Sequence, residues 1–210
     1  MEEDILAVKN YIISHEVHEI YEKFLTGNDV WYFKNYLKKE DYSNVYDEFK
    51  KYIANNFKVS FQEVAIIGSA KTGFSLSPDK KEKLQKFGTA SDCTSDIDIV
   101  LISNRYFNKF WNMYLERKQK HYIKDYNYVT NCIFQKFITF KGFDAYEDEE
   151  YANWKKQTGE YQKILEAEFD ILHPAHYRIF DSWSAAESYY KNSIDKLKIK
   201  LQEETNEYTI

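Results

Sequence analysis

Apolar residues recur at helical spacing over the first stretch of the chain. Ile5, Val8, Ile12, Val17, Ile20 and Phe24 fall near one face of a helix running from Asp4 to Leu25, which Gly27-Asn28 stops. A second helix is expected from about Tyr42 to Ile53, and the aromatic stripe before it, Trp31, Tyr32, Phe33 and Tyr36, reads as core. The period then changes. Glu63-Val64-Ala65-Ile66-Ile67 reads as a short strand, and Ser95-Asp96-Ile97-Asp98-Ile99-Val100-Leu101 as a second, buried one. Helical spacing returns from about Phe107 through Lys120 and from Tyr128 through Phe140, with Gly142 ending the run. Ala145 to Gly159 is acidic, aromatic and without clear periodicity, which predicts an exposed loop or short helices over the mouth of a site. Tyr177-Arg178-Ile179-Phe180-Asp181 reads as a short strand. Ser184-Ala185-Ala186-Glu187 is a capping box opening a helix to about Glu204 that docks through Ile194, Leu197 and Leu201.

Composition narrows the class. Two prolines and six glycines in 210 residues argue for long helices and against a loop-rich all-β fold. Aromatic residues make up 18% of the chain, so much of the core is aromatic. No repeat or low-complexity linker breaks the chain, which reads as one domain: a helical part over 1–58, a sheet-containing core over 59–181 and a C-terminal helix over 182–210. The net charge of −5 disfavours a sequence-independent nucleic-acid binder but leaves room for a local basic groove. Cys93 and Cys132 are isolated, Glu2, Glu3 and Asp4 stand where an export signal would be basic, and no apolar run approaches membrane-spanning length. A reducing, cytoplasmic setting without membrane contact is therefore expected. The pairs His15-x-x-His18 and His173-x-x-His176 lack an accompanying Cys or acid cluster and read as surface or packing residues.

The candidate chemistry lies between Val64 and Ser103. Side chains in a strand alternate faces, so Asp96 and Asp98 point the same way, a few ångströms apart, and repel. A divalent cation removes that penalty, and hard oxygen donors suit Mg²⁺ or Mn²⁺ held jointly by protein and substrate phosphates. Gly68-Ser69, at the end of the first strand, supplies the complement: Gly68 lets backbone approach a ligand, and the Ser69 hydroxyl and nearby N–H groups can meet a phosphate. Lys71 lies two residues beyond and adds a positive charge to the same segment.

Gly-Ser after an apolar strand, a connecting segment, then Asp-x-Asp within another apolar strand resembles the pattern of the DNA polymerase β-type nucleotidyltransferase superfamily. The resemblance covers roughly residues 60 to 103, through Gly68, Ser69, Asp96 and Asp98. It implies an α+β fold, a small mixed β-sheet with helices packed on it and helical N- and C-terminal extensions. It implies a nucleoside triphosphate substrate and two-metal transfer of a nucleotidyl group. Asp96 and Asp98 would hold the Mg²⁺ or Mn²⁺ ions; Gly68 and Ser69, with Lys71 beside them, would cradle the β- and γ-phosphates.

Two features depart from the family pattern. The segment from Ala70 to Ser95 is longer than usual and carries Lys71, Thr72, Gly73, Ser75, Ser77 and Pro78 before the basic run Lys80-Lys81-Glu82-Lys83, so it is either a substrate-gripping loop or a surface excursion. A third carboxylate on a later strand is common in the family, and here Asp181, Asp170 and Asp144 compete for that role in this order. The acceptor hydroxyl stays open among nucleic acid, protein and small molecule. The alternative is an inactive nucleotidyltransferase-like protein that binds a nucleotide or a protein partner.

Overall fold

The computed structural model describes residues 5–88, 95–120, 122–141, 143 and 148–207. The expected stops and acids at Gly142 and Asp144, together with Cys93 and the N-terminal acids, lie outside the described residues. The fold is α+β: helices together with a four-stranded mixed sheet, with helical N- and C-terminal parts. The chain divides into two compact units, one of residues 1–46, 66–98 and 187–210, the other of residues 47–65 and 99–186.

In the first unit the expected helix from Asp4 to Leu25 is two helices, α1 over Ile5–Ser14 and α2 over Val17–Leu25. The break has a local cause. The Ser14 hydroxyl donates back to the Asn10 carbonyl at 2.8 Å, competing with the ladder, and the Glu19 carboxylate accepts from the Glu16 backbone N–H at 2.9 Å, which starts a new helix there. Val8, Ile12, Ile20 and Phe24 nevertheless reach one core, as their spacing requires. Tyr32–Tyr36 forms a single π-helical turn in which the Leu37 N–H reaches back five residues to the Tyr32 carbonyl. Tyr32 and Phe33 are fully buried, as the core reading of that stripe expects, whereas Trp31 and Tyr36 are half-buried.

Strand β1 is Val64–Ile67 and is followed at once by the short helix α4, Ser69–Thr72; helix α3, Tyr42–Phe57, precedes it. Within the first unit the Tyr46 hydroxyl accepts from the Ile66 N–H at 3.0 Å and pins the end of β1. The long segment after Gly68 is anchored over residues 73–87. Ser75 N–H donates to Gln85 O and Phe87 N–H to Gly73 O, both at 2.8 Å, while Phe74, Leu76 and Leu84 are buried with α1, α2 and the C-terminal helix. The Lys80-Lys81-Glu82 tip between these anchors is exposed.

Strand β2, Ile97–Ile102, leads into helix α5, Asn104–Lys120, and helix α6 spans Tyr126–Phe134. The expected helix from Tyr128 through Phe140 stops early because Lys136 adopts a left-handed backbone, φ 56°, and Phe137–Ile138 turns into strand β3. Glu149–Phe169 forms a 21-residue helix, α7, whose first half takes up most of the Ala145–Gly159 stretch where a loop or short helices were expected. Its buried residues are sparse, Trp154, Leu165 and Phe169, and Tyr161 fills the turn between them with a polar-tipped ring. Trp154 is the centre of the second unit's core, with its ring centroid 5.2 Å from those of Phe57 and Phe110 and 5.8 Å from that of Tyr177.

Strand β4, Ala175–Phe180, pairs antiparallel with β3, Phe137 facing Phe180 and Ile138 facing Ile179, and the sheet order is β1-β2-β4-β3. Helix α8, Trp183–Glu207, starts one residue before the expected capping box: the Ser182 hydroxyl, not Ser184, accepts from the Ala185 N–H at 3.3 Å. Ile194, Leu197 and Leu201 dock as expected, each at most 1% exposed, in the core of the first unit.

Candidate functional site

Gly68, Ser69, Lys71, Asp96 and Asp98 all belong to the first unit, and the structure brings the glycine turn and the paired acids together. Gly68 ends β1 with φ +67° and ψ −153°, a backbone region that L side chains rarely adopt. A Cβ placed on it would lie 2.9 Å from the Asp98 Oδ2. Glycine is thus required twice, once for the turn and once for the carboxylate lying against its Cα. This contact joins two segments that the sequence separates by thirty positions.

Asp96 stands just before β2 and Asp98 within it, on either side of the fully buried Ile97. Both acids are half-buried, and each offers a carboxylate oxygen within 4.8 Å of one on the other. That separation suits two donors to one hard cation, and the missing side chain at Gly68 is what lets the Asp98 carboxylate take its place there. Ser69 is half-buried in the first turn of α4. The turn is tied down by its own backbone, with the Gly68 carbonyl accepting from the Lys71 N–H at 3.0 Å and the Ser69 carbonyl from the Gly73 N–H at 2.8 Å.

Lys71 is placed differently from the exposed loop lysine that its surroundings suggest. It is 4% exposed, and its Nζ donates to the Gly27 carbonyl at 2.6 Å, clamping α4 to the end of α2. The sequence held no signal for this bond, because the acceptor is a main-chain carbonyl forty-four positions away.

The candidate third acids have other partners. Asp181, in the second unit, accepts from Lys136 Nζ at 2.9 Å and from the Asn104 amide at the start of α5. These two donors hold its carboxyl below the ordinary carboxylate range. Asp170 is exposed and ends α7 in a left-handed conformation, its N–H donating to the Leu165 carbonyl. In the acidic Asp148-Glu149-Glu150 group, Asp148 pairs with Arg117 at 2.5 Å, both largely buried, and Glu150 pairs with Lys109.

Of the histidines, His15 stacks on Tyr11 at 3.7 Å between centroids, His18 is exposed, His173 is buried before β4, and His176 is exposed on β4. Burial pushes the Cys132 thiol up, away from thiolate reactivity. Among the described residues no helix is long and apolar enough to cross a membrane. No protein-family model matches the chain, and no match was found among curated proteins or solved structures.

Proposed function

We propose that the chain is a metal-dependent nucleotidyltransferase that moves a nucleotidyl group from a nucleoside triphosphate to a hydroxyl acceptor. The reading rests on one observation above the others: the Asp98 carboxylate lies against Gly68, so folding brings the Gly68-Ser69 turn next to the Asp96-x-Asp98 pair. Two carboxylates within 4.8 Å of each other repel, and a divalent cation held between them offsets that repulsion.

The residues divide the work by chemistry. Asp96 and Asp98 would hold Mg²⁺ or Mn²⁺, which when bound supplies positive charge against the triphosphate and the charge that develops on its oxygens. Gly68 removes the side chain that would block the phosphates, and the Ser69 hydroxyl donates to them. Lys71 acts through position: its bond to Gly27 fixes α4 and hence the orientation of Ser69.

The test is direct. Purified protein with Mg²⁺, each labelled triphosphate in turn and a broad cell extract should transfer label to an acceptor and release pyrophosphate. Asp98→Asn and Ser69→Ala should reduce both. Transfer undiminished in Asp98→Asn would defeat the proposal. A second reading, nucleotide binding without transfer, is favoured by the engagement of the Asp181 carboxylate with Lys136 and Asn104. It predicts measurable nucleotide affinity with no pyrophosphate released.

A further inference from the structure

A cavity of about 800 Å³ opens in the first unit beside the end of α4, within the range of small-molecule sites. Its wall holds Lys23, Lys34, Lys71 and Lys86 against a single acid, Asp29, in a chain whose net charge is negative. Asp96, Asp98, Gly68 and Ser69 are not among its lining residues. The lysines come from four places in the sequence, so no run of basic residues announces them. α2 contributes Lys23, the π-helical turn Lys34, α4 Lys71, and the returning arm of the 73–87 excursion Lys86.

The cationic wall is ordered. Lys23 Nζ sits 3.8 Å above the Tyr11 ring, Lys71 is fixed on Gly27 O, and Lys34 is held by Asp29 at 3.0 Å. Lys71 is buried, so its attraction for an anion acts in a wall that water screens poorly. The cavity also carries aromatic rings: Trp31 and Phe87 line it with centroids 5.7 Å apart. Gly73, at φ +84°, lets the Trp31 indole approach so closely that an added Cβ would lie 2.7 Å from Nε1, and this fixes the ring against the end of α4. Ammonium groups suit phosphate oxygens as point charges, and a flat ring suits an aromatic wall.

We propose that this cavity is a second anion site that takes a nucleotide, its phosphates on Lys23, Lys71 and Lys86 and its base against Trp31. It goes beyond the transferase reading, because binding here needs neither the metal nor Asp96 and Asp98. The 73–87 excursion thereby gains a job: it brings Lys86 and Phe87 to a wall made by α2 and α4.

The experiment measures calorimetric binding of ATP and of inorganic triphosphate in EDTA, to the wild type, to Asp98→Asn and to the double variant Lys23→Ala, Lys86→Ala. Both lysines are exposed, so circular dichroism and melting of the double variant should match the wild type. The expected result is metal-free ATP binding that survives Asp98→Asn, weakens at least tenfold in the double variant and weakens in Trp31→Leu. No binding in EDTA, or affinity unchanged in the double variant, would overturn the proposal. So would equal affinity for triphosphate and ATP, because the base would then contribute nothing. Loss in Asp98→Asn alone would place the ligand at the paired acids and also overturn it, leaving the transferase reading standing.

Discussion

Gly68 is the residue on which the candidate site turns. Gly68→Ala would put a methyl group 2.9 Å from the Asp98 Oδ2 and hold a left-handed backbone that alanine disfavours. The expected cost is about 1–3 kcal/mol of stability, with loss of any metal-dependent nucleotide binding, measured by denaturant unfolding and titration. Asp181 makes a second, separable prediction. Its carboxyl is held low by Lys136 and Asn104, so the stability it contributes is present above the unfolded carboxyl pKa near about 4 and is lost as pH falls through its lower folded value. Asp181→Asn should lower stability at neutral pH by about 1 kcal/mol, small because Lys136 is largely exposed. The difference between variant and wild type should shrink below about pH 4. At this scale the paired acids and the glycine were legible, since alternation and φ preference are written in residue type. The engagement of Lys71 with Gly27 and of Asp181 with Lys136 was not, because each depends on partners brought in by folding.

Elements were legible where the apolar spacing was regular. α8 is the clearest case: Ile194, Leu197 and Leu201 recur once per turn and are buried as that spacing demands. Leu197→Ala should cost about 2–5 kcal/mol in chemical denaturation, mostly from the cavity left in the first unit's core. α7 was hidden by the opposite circumstance. Its core contacts are carried by Trp154, Tyr161, Leu165 and Phe169 among charged neighbours, so the stripe is one residue wide. β3 was hidden by brevity and by Lys136, whose left-handed turn lacks the glycine or asparagine that commonly marks one. The break between α1 and α2 was hidden because side chains at Ser14 and Glu19, rather than a Gly or Pro, produce it.

For the whole molecule, the scarcity of Pro and Gly foretold long helices and the aromatic content an aromatic core, which α7, α8 and the Trp154 cluster bear out. The α+β fold with its small mixed sheet was what the family resemblance implied and is what the structure has. The proposed chemistry draws on a narrower span: Gly68, Ser69, Asp96 and Asp98 lie in one compact unit together with the lysine-lined cavity, and the paired acids are the proposed metal and triphosphate site. The measurement that tests this most directly is thermal melting with Mg²⁺ or Mn²⁺ and each nucleoside triphosphate, in wild type, Asp96→Asn and Asp98→Asn. At a ligand concentration a hundredfold above Kd the wild type should gain about 2.7 kcal/mol, a rise of roughly 5–10 °C for a chain of this size. The metal-dependent part of that rise should vanish in either variant while the unliganded melting temperature changes little. An equal metal-dependent rise in wild type and both variants would contradict the account.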